Sequence, residues 1–113
     1  MANGLALLFD PAVQAALPAI CEKYGIARLE AFGSVVREDF GPESDIDLLF
    51  TAGKDRFVSL RDLFYLKEEL ALIFRRPVDM VDHEALLNHY NWILRQNMLS
   101  RTEPIYDTTQ VTV

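Results

Sequence analysis

Residues 45–51 read Asp-Ile-Asp-Leu-Leu-Phe-Thr, a run with no glycine or proline and with apolar residues at every second position. That alternation predicts a strand. Ile46, Leu48 and Phe50 then share one face, and Asp45 and Asp47 share the other. The two carboxylates stand side by side, about 6–7 Å apart along the backbone. Like charges this close repel, so stability alone is a poor reason for the pair. A chain carrying this segment needs a sheet covered on one face and open to solvent or cations on the other. The plain reading is a solvated strand edge. The chemical reading is a seat for divalent cations about 3.5–4 Å apart, bridged by both side chains.

The flanking residues organise around this strand. Asp10-Pro11 is a helix N-cap with proline at the first helical position, and Gly25 is a helix stop. Val13, Leu17, Ile20, Cys21 and Tyr24 keep helical spacing between them, and Pro18 is expected to kink or restart that helix. Ile26 to Phe32 is a strand, followed directly by Gly33-Ser34, and Glu38 to Ser44 is a polar loop around Gly41-Pro42. Ser59-Leu60-Arg61-Asp62 resembles a capping box that opens a helix with Leu63, Leu66, Leu70 and Phe74 on its inner stripe. Pro77 to Val81 is a third strand. Asp82 caps a further helix whose apolar face includes Leu86, Tyr90, Ile93 and Leu94, and Pro104-Ile105-Tyr106 suits a last strand. The fold class expected is a small mixed α/β (α+β) domain, one sheet flanked by helices. Its 113 residues suit one domain, 1–113, with a loosely held tail at about 108–113.

The net charge of −6 argues against long nucleic acid as a ligand, since that binding rests on neutralising phosphates with Lys and Arg. One nucleotide can still bind an acidic protein through a bridging metal ion. Cys21 is the only cysteine, which leaves no internal disulfide and no cysteine-based zinc site; its apolar neighbours favour a core role. No apolar run approaches the roughly 18 residues of a membrane span, and Met1 to Phe9 lacks a basic leader region. The expected location is cytoplasmic.

Two further features converge on the acidic pair. In Pro77-Val78-Asp79-Met80-Val81 an acid interrupts an apolar strand, where an unpaired carboxylate is costly and calls for a cation or a donor. If this strand lies beside the first, three carboxylates meet; an ordinary ion pair with Arg75 or Arg76 is the plain alternative. Phe32-Gly33-Ser34 follows a strand, where glycine admits a close ligand and serine offers a hydroxyl and an N–H to phosphate.

The spacing Gly33-Ser34, ten residues, Asp45-Ile46-Asp47 resembles the signature of the polymerase-β-like nucleotidyltransferases. With the Ala31-Phe32 lead-in, Leu48-Leu49 and Val78-Asp79-Met80-Val81, the chain resembles the minimal nucleotidyltransferase (MNT) group, the antitoxin half of HEPN–MNT toxin–antitoxin pairs, from about Pro18 to Tyr106. The resemblance implies magnesium-dependent transfer of AMP from ATP to a hydroxyl, most specifically a tyrosine of a cognate HEPN ribonuclease toxin. It implies two Mg²⁺ ions held by Asp45, Asp47 and Asp79, which are then both metal ligands and catalytic groups. Gly33 and Ser34 would bind the triphosphate, with Arg37 as a further phosphate contact. Two positions depart from the family pattern. Val35 stands where relatives carry a basic residue, and Glu38 stands where they carry glycine. Those departures keep a non-catalytic antitoxin that acts by contact open as an alternative. An aminoglycoside-type small-molecule nucleotidyltransferase is another, though it needs extra protein to build an acceptor site. His83 and His89 are six apart, off the spacing that places two ligands on one helix face, and Trp92 with Tyr90 suits a core or an interface.

Overall fold

The computed structural model describes residues 4–37, 40–85 and 101–108. The elements are α1 (Leu5–Leu8), α2 (Pro11–Tyr24), β1 (Ile26–Phe32), a 3₁₀ turn (Gly33–Val36), β2 (Ile46–Ala52), α3 (Leu60–Phe74), β3 (Val78–Asp82) and β4 (Glu103–Asp107).

Local chemistry sets the helix ends. The Asp10 carboxylate accepts from the N–H of Ala12 at 2.8 Å, and Pro11 follows as the first residue of α2. Gly25 ends it in the left-handed region at φ 74°, where a Cβ is disfavoured. Pro18 does not restart the helix: α2 runs through it as one element, Pro11–Tyr24. Proline removes the N–H that would pair with the Gln14 carbonyl, but Pro18 lies on the exposed side of the helix, where water can take that place, while Val13, Leu17 and Cys21 are buried. The Ser59 hydroxyl accepts from the N–H of Asp62 at 3.0 Å and opens α3. The Asp82 carboxylate likewise accepts from the N–H of Glu84 at 2.9 Å, and residues 83–85 are helical; the expected apolar face at Leu86, Tyr90, Ile93 and Leu94 lies outside the described residues, as do His89 and Trp92.

The strands form one mixed sheet in the order β3-β2-β1-β4. β1 pairs antiparallel with β2 and with β4, and β2 pairs parallel with β3. A parallel pair needs a crossover, which α3 supplies. The alternation in β2 is decisive for the layering. Ile46, Leu48 and Phe50 enter the main core with Leu17 and Cys21 of α2 and Leu66, Leu70 and Phe74 of α3. Each such side chain contributes about 1.5–3 kcal/mol through burial. Burial also pushes the Cys21 thiol up to about 12, which keeps it protonated and inert at neutral pH. The opposite face carries Asp47 and Asp79 and a small cluster of Phe32, Leu49 and Val81. At the end of the chain, the N–H and hydroxyl of Thr108 both donate to the Ala27 carbonyl, at 2.9 and 3.0 Å; residues 109–113 lie outside the described residues. No helix among the described residues is long and apolar enough to cross a membrane.

Candidate active site

Parallel pairing of β2 with β3 sets Asp47 directly opposite Asp79, on strands about 4.8 Å apart. Asp45 stands one residue before β2 and is exposed. Antiparallel pairing sets Phe32 opposite Asp47, so the chain leaves β1 for the Gly33 turn beside the same carboxylate. Gly33 has φ 77°, and a Cβ built there would run into the Asp47 carboxylate. Glycine is therefore required twice at this point, for its backbone angle and for the space it leaves. Gly33 and Ser34 open the 3₁₀ turn, whose first N–H groups have no partner within the turn.

The electrostatics centre on Asp47. Its carboxyl is pushed above the usual range, first by burial, then by the charges of Asp79 and Asp45, against a smaller opposing effect of Arg37. Arg37 ends the turn and is exposed. Asp79 has a side chain 65% exposed, with the Lys67 ammonium of α3 at 3.9 Å; an exposed pair at that distance contributes little. Among the described residues no three acid, histidine or cysteine side chains are already gathered tightly enough to hold an ion. Coulombic coupling reaches further than coordination, so the three carboxylates sense one another without sharing a point. Asp45 and Asp79 are both exposed. The donor set, three carboxylates, suits a hard divalent cation, and positive charge there would offset the repulsion that burdens Asp47.

Several sequence expectations resolve differently from one another. Val35, one of the two positions read as departing from the family pattern, is fully buried in the main core. Glu38 lies outside the described residues. His83 is half-buried, and its charge helps to lower the pKa of Glu30. Among the described residues the cation paired with Asp79 is Lys67, not Arg75 or Arg76. Arg75 occupies the left-handed position that ends α3, at φ 58°. Arg76 donates instead to the carbonyls of Gly41 and Ser44. Those partners are 35 and 32 residues away, so no local pattern could have revealed them. Glu30 was also missed, although it carries the same signal as Asp79, an acid inside an apolar strand.

A model of the nucleotidyltransferase domain matches residues 13–102. A candidate protein adenylyltransferase of Methanocaldococcus jannaschii is 36% identical over 64 residues, 57% of this chain and 67% of that protein. The structure of a candidate minimal nucleotidyltransferase aligns at a TM-score of 0.65 with 30% identity, over 87% of this chain and 94% of that one. A chain of the complex between a tri-AMPylated Shewanella oneidensis HEPN toxin and its MNT antitoxin aligns at a TM-score of 0.53 with 19% identity, over 86% and 71% of the two chains; at that identity the likeness is one of fold.

Proposed function

The chain belongs to the nucleotidyltransferase domain family, and on that premise we propose that it is a one-domain, cytoplasmic protein adenylyltransferase that moves AMP from ATP to a hydroxyl. The acceptor we propose is a tyrosine of a cognate HEPN toxin, which the modification silences. The observation that carries this reading is the crowding at Asp47: a part-buried carboxylate with Asp45 and Asp79 as its charged neighbours, set against a glycine turn that has no room for a side chain. Such repulsion has no use in a structural role and is relieved when charge is neutralised.

In this reading Asp45, Asp47 and Asp79 hold two Mg²⁺ ions. Bound there, the ions supply charge that offsets the leaving pyrophosphate and lowers the pKa of the acceptor hydroxyl. Gly33 and Ser34 would bind the β- and γ-phosphates through the turn N–H groups and the serine hydroxyl, and Arg37, which ends the turn, would add a cation. Asp79, the more open of the opposed pair, would take the proton of the acceptor hydroxyl as the oxygen attacks the α-phosphorus and pyrophosphate leaves. The work of the protein is positioning and charge compensation.

The test is to incubate the protein with ATP, Mg²⁺ and the product of the neighbouring gene, then weigh both chains by intact mass spectrometry. We expect one or more AMP units on the neighbour and none with Asp45→Ala. The buried Val35, which cannot present a cation to phosphate in this packing, favours a second reading, an antitoxin that acts by contact alone. A stable complex with no change of mass would establish that reading and remove the first.

A further inference from the structure

The loop that leads into the carboxylate strand is held by one guanidinium from another part of the chain. Arg76 Nη1 donates to the carbonyl of Gly41 at 2.6 Å and to that of Ser44 at 2.8 Å. The same guanidinium lies 4.3 Å from the centre of the Phe40 ring. The turn it grips is closed on itself. The Ser44 N–H donates to the Gly41 carbonyl at 3.1 Å, and the Gly41 N–H donates to the Ser44 hydroxyl at 3.0 Å. On the far side of Asp45, the Ile46 N–H donates to the carbonyl of Pro77, the residue after Arg76, at 2.9 Å. Asp45 is thus bracketed by Ser44 and Ile46, both tied to Arg76-Pro77, and two residues beyond Pro77 comes Asp79.

We propose that Arg76 is a positioning residue for the acidic site, fixing the lead-in at Asp45 relative to Asp47 and Asp79; this rests on the adenylyltransferase reading for its functional meaning. The physical case has three parts. A guanidinium keeps its charge at any working pH, and its plane can stack on an aromatic ring while its N–H groups donate. Its partners are backbone carbonyls, so it constrains the path of the chain directly. The place of β2 in the sheet does not depend on it, because β2 is paired along its length with β1 and β3. Loss of Arg76 therefore frees the approach to Asp45 more than it loosens the sheet. Partners one step removed from a metal site commonly change affinity or activity 10–100-fold, and small misplacements of reacting groups have effects of similar size.

The test compares wild type, Arg76→Met and Arg76→Lys by two readings, amide hydrogen exchange of peptides spanning 41–47 and Mn²⁺ titration of the nucleotide-free protein. In Arg76→Met we expect exchange at 41–47 to rise and Mn²⁺ binding to weaken, each at least ~10-fold, with exchange in α2 and β1 unchanged. Lysine keeps the charge and the reach but cannot stack a plane on Phe40, so Arg76→Lys should recover only part of both. Full recovery by lysine would uphold the clamp and show that donation to the two carbonyls suffices without a plane stacked on Phe40. Unchanged exchange at 41–47 in Arg76→Met, or a rise spread evenly over the whole chain, would overturn the proposal. If Arg76→Met does not fold, Arg76→Lys decides: a rise confined to 41–47 upholds the clamp and one spread evenly overturns it. A wild type that binds no Mn²⁺ would remove the metal-site reading, while a local rise in exchange would still uphold the clamp.

Discussion

Glu30 and Asp47 lie on adjacent strands and on the same face of one sheet, yet they are opposite kinds of acid. Glu30 is 7% exposed, and burial by itself would raise its pKa. Hydrogen bonds from Arg28 and Thr102, with the charges of Arg28 and His83, outweigh that and hold it below the usual carboxylate range. Arg28 Nε lies 2.9 Å from one Glu30 oxygen and the Thr102 hydroxyl 2.8 Å from the other, while Arg28 also reaches Asp107. Asp47 has acids where Glu30 has donors, and its pKa moves the other way. A buried carboxylate surrounded by donors holds strands together. A part-buried one whose charged neighbours are mainly other carboxylates is disfavoured in its ionised form. Charge count does not separate the two regions; the sign of the neighbours does.

The sharpest way to break this comparison is to neutralise each acid without changing its shape. Asp47→Asn should lower AMP transfer at least ~100-fold, the scale of losing a key electrostatic group. Its metal-free melting temperature should hold or rise, because the charge removed is one the fold disfavours. Clear loss of metal-free stability would place Asp47 in the same class as Glu30.

Glu30→Gln should do the reverse. It removes one of the two acids paired with Arg28, leaving Asp107, and should destabilise by about 2 kcal/mol in denaturant titrations, with transfer intact at temperatures where the variant is folded. The pH dependence follows from the direction of its shift. A carboxylate whose folded pKa is depressed contributes in full above its unfolded value and is lost as pH falls through the folded one. Between about pH 7 and about pH 3 the wild type should therefore lose a stability increment that Glu30→Gln does not. Parallel pH profiles for the two would remove Glu30 from the list of stabilising charges. The smallest effect expected is that of Thr102→Val, which deletes one donor and should cost about 1 kcal/mol with no change in transfer. An equal loss of activity would mean that the two regions are coupled.

Much of this was legible in the sequence because it is local. Caps at Asp10 and Ser59, the stop at Gly25 and the alternation in residues 45–51 each depend on chemistry within a few residues, and each stands in the structure. The spacing from Gly33-Ser34 to Asp45-Ile46-Asp47 was legible for the same reason, since strand, turn and strand are consecutive. Pro18 shows the limit of a local rule: its usual penalty is softened when the orphaned carbonyl faces water and the opposite side of the helix is packed.

Sequence by itself determined which residues are apolar on which period, where helices begin, and that Asp47 lies on the strand face opposite Ile46, Leu48 and Phe50, while Asp45, expected beside it on the strand, stands one residue before β2; these follow from backbone geometry and nearest neighbours. Only the tertiary structure decided that β3 lies parallel to β2 and so sets Asp79 opposite Asp47, that β4 returns beside β1 and brings Thr102 and Asp107 to Arg28 and Glu30, and that Arg76 turns away from Asp79 to hold the turn before Asp45. Those relations join residues dozens of positions apart. Their energies are electrostatic and hydrogen-bonding terms whose sign depends on which partner the folded chain brings near, and no single segment carries that information.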